Sequence, residues 1–341
     1  MRWQSTWPSK DIFHEYALDY AKKVNDMTGG DLKIEVLPAG AVVPAFGLLD
    51  AVSKGTLDGG HGVLVYHYGK QTALALWGSG PAIAMDANML LSWHKYGGGK
   101  ELLDKLYASI GANVVSFPYG PMPTQPLGWF KKPITKVEDF KGLKYRTVGI
   151  SIDVFTAMGA AVNALPGGEI VSAMDRGLLD AAEFNNASSD RVARLRRRLQ
   201  GLHAAELPPE RRAVRDHVQQ DQVRRAAGQD EGDHRQRGRR GVGRTCRGRR
   251  STATRKDYIE LQTKDNVKFY KTPDAILKQQ LEVYDEVVKK KSAENPLFKE
   301  IVAIAARVRQ ARDAVGAGHG GEPQDGVRSL LGRRTPQPKK I

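Results

Sequence analysis

The chain has 341 residues, enough for two domains of ordinary size, and its single cysteine, Cys246, excludes an internal disulfide and a cysteine-based metal cluster. Its 53 Lys and Arg against 38 Asp and Glu give a net charge of +15, which suggests an anionic partner only until the charge is located. Residues 193–254 carry +10 and residues 303–341 carry +5, so the rest is neutral, and no apolar run approaches the roughly 18 residues of a membrane-spanning helix.

The N-terminal region predicts an amphipathic helix after a short apolar segment at residues 3–7. Ser9 and Asp11 are residue types that cap helix N-termini, and apolar side chains then recur at three- and four-residue spacing. Gly29 and Gly30 end this helix, because glycine adopts left-handed backbone geometry at little cost.

Strand signals follow the helix. Residues 32–36 alternate between apolar and charged side chains and are closed by Pro38 and Gly40, which predicts a strand. Strand and helix signals then interleave as far as the apolar segment 113–117. This interleaving predicts an α/β fold in which neighbouring strands pair in parallel.

One segment of the chain is repeated. Residues 48–60, LLDAVSKGTLDGG, align without gaps on residues 170–182, IVSAMDRGLLDAA, and each copy predicts a helix stopped by glycine and a turn into a strand. The identical positions are Ala51 and Ala173, Gly55 and Gly177, Leu57 and Leu179, and Asp58 and Asp180. Two similar α/β lobes with a ligand-binding cleft between them would produce this repeat, although a recurrent turn could also arise by chance.

Arg146 lies in the strand-like segment GLKYRT at residues 142–147. Outside the two basic tracts the chain uses Lys almost throughout, so an arginine here is conspicuous. The guanidinium group is a rigid fork of donors that fits a carboxylate through two parallel hydrogen bonds. The residues alone leave two alternatives: a carboxylate-binding residue or an ordinary surface ion pair.

The basic tracts differ from the rest of the chain. Residues 193–254 contain 17 Arg and no Lys, Phe, Tyr, Trp or Ile, and the tail from residue 303 also lacks aromatic residues. An RNA-binding arm and a disordered insertion are two interpretations, but an RNA-binding arm would be expected to carry base-stacking aromatics. We favour a third: a GC-rich gene read out of frame, which yields mostly Arg, Gly, Ala and Pro. Shifting the frame near codon 193 should then reveal an ordinary globular sequence.

Several linked motifs resemble one family. They are the N-terminal segment 2–40, AVSKGTLDGGHG, GLKYRTVG, NALPGGEIVSAMDRGLLDAAEF and KFYKTPDAILKQQLEVYDEV. Together they resemble the DctP-type solute-binding subunits of TRAP transporters, and within these the subgroup that binds 2-oxo acids. The similarity covers about residues 2–192 and 255–302 and fails in both basic tracts.

The resemblance implies a type II periplasmic-binding-protein fold of two α/β lobes joined by crossing strands, with a long helix near the C-terminus. It implies capture of a small organic acid, without catalysis, and delivery to a sodium-driven membrane permease. The location it implies is the periplasm, although residues 1–4 lack the features of a signal peptide. The chain is then either cytoplasmic or preceded by a start lying upstream. A homodimer is left open, and no nucleic-acid partner is expected.

The resemblance also implies the site residues. The ligand carboxylate pairs with Arg146, and Gln125, Glu183 and the backbone of Phe184 hold a Na⁺ or Ca²⁺ ion that bridges the substrate. Hard oxygen ligands suit either ion. The subgroup usually carries Trp where Phe184 stands, and a further acidic ligand is expected about 25 residues beyond Glu183, inside the first basic tract.

Each candidate also has a structural alternative. Gln125 would only satisfy backbone groups of a proline-rich loop, Glu183 would be a solvated carboxylate, and Phe184 would belong to the core. Tyr66 is a further candidate for the wall of the cleft, and its structural alternative is packing between helices. Asn185 is a candidate for contact with the ligand, and its structural alternative is a turn.

Two other function classes have less support from the sequence. An enzyme acting on a small organic acid lacks support, because the histidines form no H-E-x-x-H motif and there is no G-x-S-x-G or Cys–His arrangement. A nucleic-acid-binding protein using the basic tracts would lose affinity steeply with added salt.

The predicted organisation has five parts: lobe I at 1–117, part of lobe II at 118–192, an aberrant tract at 193–254, a helical region bridging the lobes at 255–302 and an aberrant tail at 303–341. Both aberrant segments are expected to be disordered or irregular. Replacing 62 residues of globular sequence with the aromatic-free first tract would remove apolar core surface and one segment that crosses between the lobes. We therefore expect the chain as written to be defective in folding or binding.

Overall fold

The computed structural model describes residues 1–78, 85, 87–121, 125–192, 201–204, 213–219 and 256–317. Within these residues the strands form two sheets. The first has the order β2 (Glu35–Leu37), β1 (Arg2–Ser5), β3 (Gly59–Gly62), β10 (Ala213–Gln219) and β4 (Val114–Pro121). β1 pairs in parallel with β2 and β3, whereas β10 pairs antiparallel with β3 and β4.

The second sheet is built in the same style. Its order is β11 (Lys268–Lys271), β9 (Gly201–Ala204), β5 (Gly128–Phe130), β8 (Ala181–Ala182), β6 (Lys144–Arg146) and β7 (Ala161–Asn163). β6 pairs in parallel with β7 and β8, and β5 pairs antiparallel with β8 and β9. The chain therefore passes between the sheets three times, from β4 to β5, from β9 to β10 and from β10 to β11.

Helices cover both sheets. In chain order they are α1 (Ile12–Met27), α2 (Leu48–Ser53), α3 (Ala87–Tyr96), α4 (Gly99–Ser109), α5 (Ser151–Ala157), α6 (Ile170–Asp175), α7 (Ala187–Val192), α8 (256–263), α9 (Asp274–Glu294) and α10 (Pro296–Ala317). Short 3₁₀ turns lie at Ala45–Gly47, Leu64–His67, Thr72–Trp77, Val137–Phe140 and Gly167–Glu169.

The prediction for the N-terminal helix is confirmed. The Asp11 carboxylate accepts a hydrogen bond from Phe13 N at 2.9 Å and caps α1, which buries one apolar face. Gly29 and Gly30 follow the helix with φ angles of 61° and 93°, the left-handed geometry that glycine supplies cheaply.

The internal repeat is also confirmed, and it extends further than the aligned segment. α2 and α6 each stop before a glycine of positive φ, Gly55 at 76° and Gly177 at 72°, and each leads into a strand of its own sheet. Both copies begin with a proline followed by a 3₁₀ turn, at Ala45–Gly47 and Gly167–Glu169. The chain thus contains the same supersecondary unit twice, once beside each sheet.

The expectation of an irregular tract at 193–254 is wrong for two segments, because residues 201–204 and 213–219 are β9 and β10. β10 also supplies a crossing segment that we expected to be missing. Pairing between strands uses main-chain groups, so an aromatic-free composition does not prevent it. The rest of that tract lies outside the described residues.

The tail is also more regular than expected, since α10 continues to Ala317, beyond the start of the second basic tract at residue 303. The side chains of Phe298, Ile301 and Ala305 on this helix are buried in the main hydrophobic core. The remaining tail lies outside the described residues, and the boundaries of the five predicted parts stay predictions.

Candidate functional site

Arg146 is the last residue of β6, which has a parallel neighbour on each side. Side chains alternate along the strand, so Tyr145 packs on Phe155, with ring centroids 4.8 Å apart, and Arg146 points to the other face. Its side chain is 0% exposed. A fully buried guanidinium requires partners for its charge, which makes its surroundings the candidate site.

Only some of the N–H donors of the Arg146 guanidinium have hydrogen-bond partners among the described residues. Nη1 donates to the Glu183 carbonyl oxygen at 2.6 Å and to Glu183 Oε2 at 3.2 Å, and Nε donates to the Leu165 carbonyl oxygen at 2.9 Å. Nη2 is buried and has no hydrogen-bond partner among the described residues. One edge of the fork is therefore fixed, and the Nη2 donors stay available for an anionic ligand.

Glu183 follows β8 directly and is 4% exposed. Its Oε2 lies 3.2 Å from Arg146 Nη1 and 3.3 Å from Thr147 Oγ1, which donates to it, and its Oε1 accepts a hydrogen bond from Gln125 Nε2 at 2.6 Å. The structure thus brings Arg146, Glu183 and Gln125 together from three separate stretches of the chain.

The oxygens around Gln125 suit a hard cation. Its side-chain amide lies against the Glu183 carboxylate and the Phe184 carbonyl oxygen, and Nε2 donates to both, whereas Oε1 is buried without a partner among the described residues. An amide oxygen, a carboxylate and a main-chain carbonyl are ligand types of Na⁺ and Ca²⁺. No group of three or more His, Cys, Asp or Glu that could hold a metal occurs in the described part of the chain, so other ligands would have to come from elsewhere.

Phe184 forms the apolar side of the site. Its ring is 2% exposed, with the ring centroid 5.8 Å from Arg146 Cζ. It belongs to a hydrophobic cluster that joins residues beside both sheets and also contains Tyr66, whose ring packs edge-on against Phe46 at 4.9 Å. Tyr66 is therefore a member of the same cluster. Its contact with Phe46 is the packing role that was the alternative to lining the cleft.

Asn185 forms hydrogen bonds with residues of α7. Its side-chain amide lies 2.8 Å from Ser189 Oγ, and its backbone N–H donates to Asp190 Oδ1 at 3.0 Å. Asp190 Oδ2 accepts a second hydrogen bond from Trp129 Nε1 at 2.8 Å. Burial raises the pKa of the Asp190 carboxyl to about 7, although both hydrogen bonds oppose the shift.

A second buried carboxylate links the two halves of the molecule. Asp11, the cap of α1, accepts a hydrogen bond from Ser189 Oγ on α7 at 2.5 Å. Burial raises the pKa of Asp11 to about 6. Since α1 lies beside the first sheet and Ser189 follows the second, this bond holds the two lobes together next to the site.

The structure therefore groups Arg146, Gln125, Glu183 and Phe184, with Asn185 beside them. The expected acidic ligand about 25 residues beyond Glu183 lies outside the described residues. No periodic or motif signal in the sequence points to Thr147, Ser189 or Asp190, and these residues of the site were not predicted. Across the described residues no helix is long and apolar enough to cross a membrane.

Comparison with known proteins gives a consistent result. Residues 4–192 match the DctP family, bacterial extracellular solute-binding protein family 7. A monocarboxylate 2-oxoacid-binding periplasmic protein from Nostoc sp. is 42% identical over 186 residues, which are 54% of this chain and 50% of that protein. The chain thus spans about half the length of the curated relatives it matches.

Solved structures extend the likeness across the fold. A TRAP periplasmic solute-binding protein from Colwellia psychrerythraea with bound calcium and pyruvate has a TM-score of 0.81 and 25% identity, covering 89% of this chain and 92% of that one. One from Pseudoalteromonas atlantica with bound sodium and pyruvate has a TM-score of 0.79 and 24% identity, covering 93% and 98%, and shows the fold alone. The chain belongs to the DctP family of bacterial extracellular solute-binding proteins, as the sequence motifs predicted.

Proposed function

We propose that this chain is the extracytoplasmic receptor of a TRAP transporter, that it captures a short 2-oxo acid such as pyruvate, and that it delivers the acid to a sodium-driven membrane permease. The location in the periplasm and the permease partner are part of the proposal. Supporting it are the family, the 2-oxoacid-binding relative and the chemistry of the site.

One observation carries the choice of ligand class. Arg146 is completely buried, two of its three nitrogens are held by Glu183 and Leu165, and Nη2 has no partner among the described residues. A carboxylate that accepts hydrogen bonds from Nη2 would complete the guanidinium and offset the positive charge. The Phe184 ring beside it favours a small acid with little polar surface.

A cation fits the same site. Gln125 Oε1, the Glu183 carboxylate and the Phe184 carbonyl oxygen would hold it, with Gln125 presenting its oxygen in place of its nitrogen. A bound Na⁺ or Ca²⁺ would supply positive charge that attracts the ligand oxygens. Arg146 orients the carboxylate, and the buried surroundings exclude water from both.

Ligand binding would favour the closed arrangement of the lobes. Sites at the junction of two lobes bias an open–closed equilibrium when the ligand contacts both lobes only in the closed form. The Asp11–Ser189 hydrogen bond and the hydrophobic cluster containing Phe184 already connect the lobes beside the site. Closure would then present a surface that the permease recognises.

Calorimetric titration with pyruvate tests the proposal. Arg146→Ala should weaken binding by at least about a hundredfold, because truncating one partner of a buried charge pair costs about 3–5 kcal/mol. Arg146→Lys, which keeps the charge but loses the fork, should lose less. Arg176→Ala, an exposed arginine beside the same sheet, is the matched control and should bind normally. Unchanged affinity in Arg146→Ala would refute the assignment.

The cation is tested separately. After dialysis against a sodium-free buffer that contains EDTA, the wild-type chain should bind pyruvate more weakly, and Ca²⁺ or Na⁺ should restore the affinity. Glu183→Gln should abolish the response to the ion, because it removes the carboxylate of the donor set. Equal pyruvate affinity with and without both ions would remove the cation from the proposal while leaving the role of Arg146 intact.

A further inference from the structure

Gly167 lies directly against the ring of Phe184. A Cβ atom built on Gly167 would stand 1.9 Å from Phe184 Cε2 and 2.3 Å from Cζ, distances that no real contact allows. The ring is 2% exposed and packed on its other sides, so it has no free space to retreat into. Any side chain at position 167 therefore displaces Phe184.

The backbone does not explain a glycine at this position. Gly167 begins a 3₁₀ turn after Pro166 and is not among the glycines with positive φ, so other residues could adopt its conformation. Glycine is required here only for space. Close approach of another group is the usual reason for such a glycine.

The internal repeat offers a comparison within the same chain. At the constant offset of the repeat, Gly167 corresponds to Ala45 and Phe184 corresponds to Gly62. The first copy has a side chain in the turn and none at the position equivalent to Phe184, whereas the second copy has the reverse. The large ring and the missing Cβ thus occur together in the copy that carries the site.

The turn also fixes the guanidinium. The Leu165 carbonyl oxygen accepts a hydrogen bond from Arg146 Nε at 2.9 Å, and the Phe184 ring centroid lies 5.8 Å from Arg146 Cζ. One short segment, residues 165–167, therefore sets the position of both side chains that would face the ligand.

We infer that Gly167 is a positioning residue of the ligand site: by leaving room for the Phe184 ring, it holds that ring beside Arg146 in the arrangement that accepts a short 2-oxo acid. This inference rests on the proposed function. It assigns Gly167 no contact with the ligand, and its effect passes through Phe184.

The first experiment compares two neighbouring glycines by calorimetric titration with pyruvate. Gly167→Ala should bind about tenfold more weakly, since overpacking a buried site forces a shift of the ring, and tenfold is equivalent to about 1.4 kcal/mol. Gly168→Ala is the matched control and should change affinity less than about twofold, because its Cβ would meet only Pro8 Cγ at an ordinary 3.8 Å. Wild-type affinity in Gly167→Ala would overturn the inference.

A double-mutant cycle tests the route through Phe184. In a Phe184→Leu background the ring is absent, so adding Gly167→Ala should change pyruvate affinity less than about twofold. A tenfold loss in that background would overturn the inference. If Gly167→Ala alone does not fold, recovery of folding in the double variant supports the inference that Gly167 leaves room for the Phe184 ring. An equally unfolded double variant refutes that inference.

The outcomes separate this inference from the proposed function. A wild-type chain that binds no short 2-oxo acid refutes the proposed function. The contact between Gly167 and the Phe184 ring is then tested by denaturant-induced unfolding of the wild type, Gly167→Ala, Phe184→Leu and the double variant. Coupling between positions 167 and 184 in the free energy of unfolding supports the inference, and additivity overturns it.

Discussion

Asp190 gives the sharpest prediction about stability. Its carboxylate is 0% exposed, and it accepts one hydrogen bond from Trp129 Nε1 and one from the backbone of Asn185. Burial raises its pKa from 3.8 to about 7, and the charges of Glu183 and Asp11 push it in the same direction. The charged form of Asp190 is thus disfavoured in the folded protein.

The sign and size follow from this shift. The folded pKa exceeds the unfolded one, so the native state binds more protons between about pH 4 and pH 7, and its stability falls as the pH rises through that window. A shift of about three units corresponds to roughly 4 kcal/mol. Asp190→Asn removes this cost but has one acceptor for two donors, which loses roughly 1 kcal/mol.

Urea unfolding of the ligand-free chain at pH 5, 6, 7 and 8 measures the effect. Asp190→Asn should lie within about 1 kcal/mol of wild type at pH 5 and be more stable by roughly 3 kcal/mol at pH 8, with a flatter dependence on pH. Some dependence should remain, because the pKa of Asp11 is also raised, to about 6. Asp31→Asn, an exposed carboxylate, is the control and should keep the wild-type profile. If Asp190→Asn has the wild-type slope, the reasoning about the buried charge is refuted.

Two further predictions concern stability, and a third concerns the gene. Tyr68→Phe removes a 2.5 Å hydrogen bond to Asp153 that joins the lobes, so the free energy of unfolding in urea should fall by roughly 1–2 kcal/mol, and an unchanged midpoint would contradict this. Gly59→Ala places a Cβ 2.3 Å from the Trp3 ring, which should lower the thermal midpoint and cost roughly 1–3 kcal/mol. Sequencing the gene should show that another frame from about codon 193 encodes an ordinary globular sequence; if no frame does, the frameshift interpretation is wrong.

Two hydrogen bonds between the lobes bear on the proposed function. Asp11–Ser189 and Tyr68–Asp153 both join elements beside different sheets, and both include a carboxylate. Hydrogen bonds to charged groups contribute more than neutral ones, so under the proposed function these contacts would favour the closed arrangement of the lobes before a ligand binds. The ligand then needs to supply only the difference in free energy between open and closed forms.

The sequence by itself determined the α/β class, the helix at Ile12–Met27 with its Asp11 cap, and the repeated helix–glycine–strand unit. Periodicity, capping and glycine signals are local, so a single sequence contains them. It also singled out Arg146, because an arginine in a Lys-rich part of the chain is visible without any fold. The grouping of Arg146 with Gln125 and Glu183 came from the family resemblance and not from their spacing.

Only the tertiary structure decided which distant residues meet. Asp11 and Ser189 are 178 residues apart, and Trp129 and Asp190 are 61 apart, so no local pattern connects them. The position of β10 between β3 and β4 was hidden for a related reason: β10 pairs with both strands through main-chain groups, and such pairing leaves no trace in composition. The need for a glycine at position 167 was hidden as well, because the reason for it is a ring that lies beside it only in the folded chain.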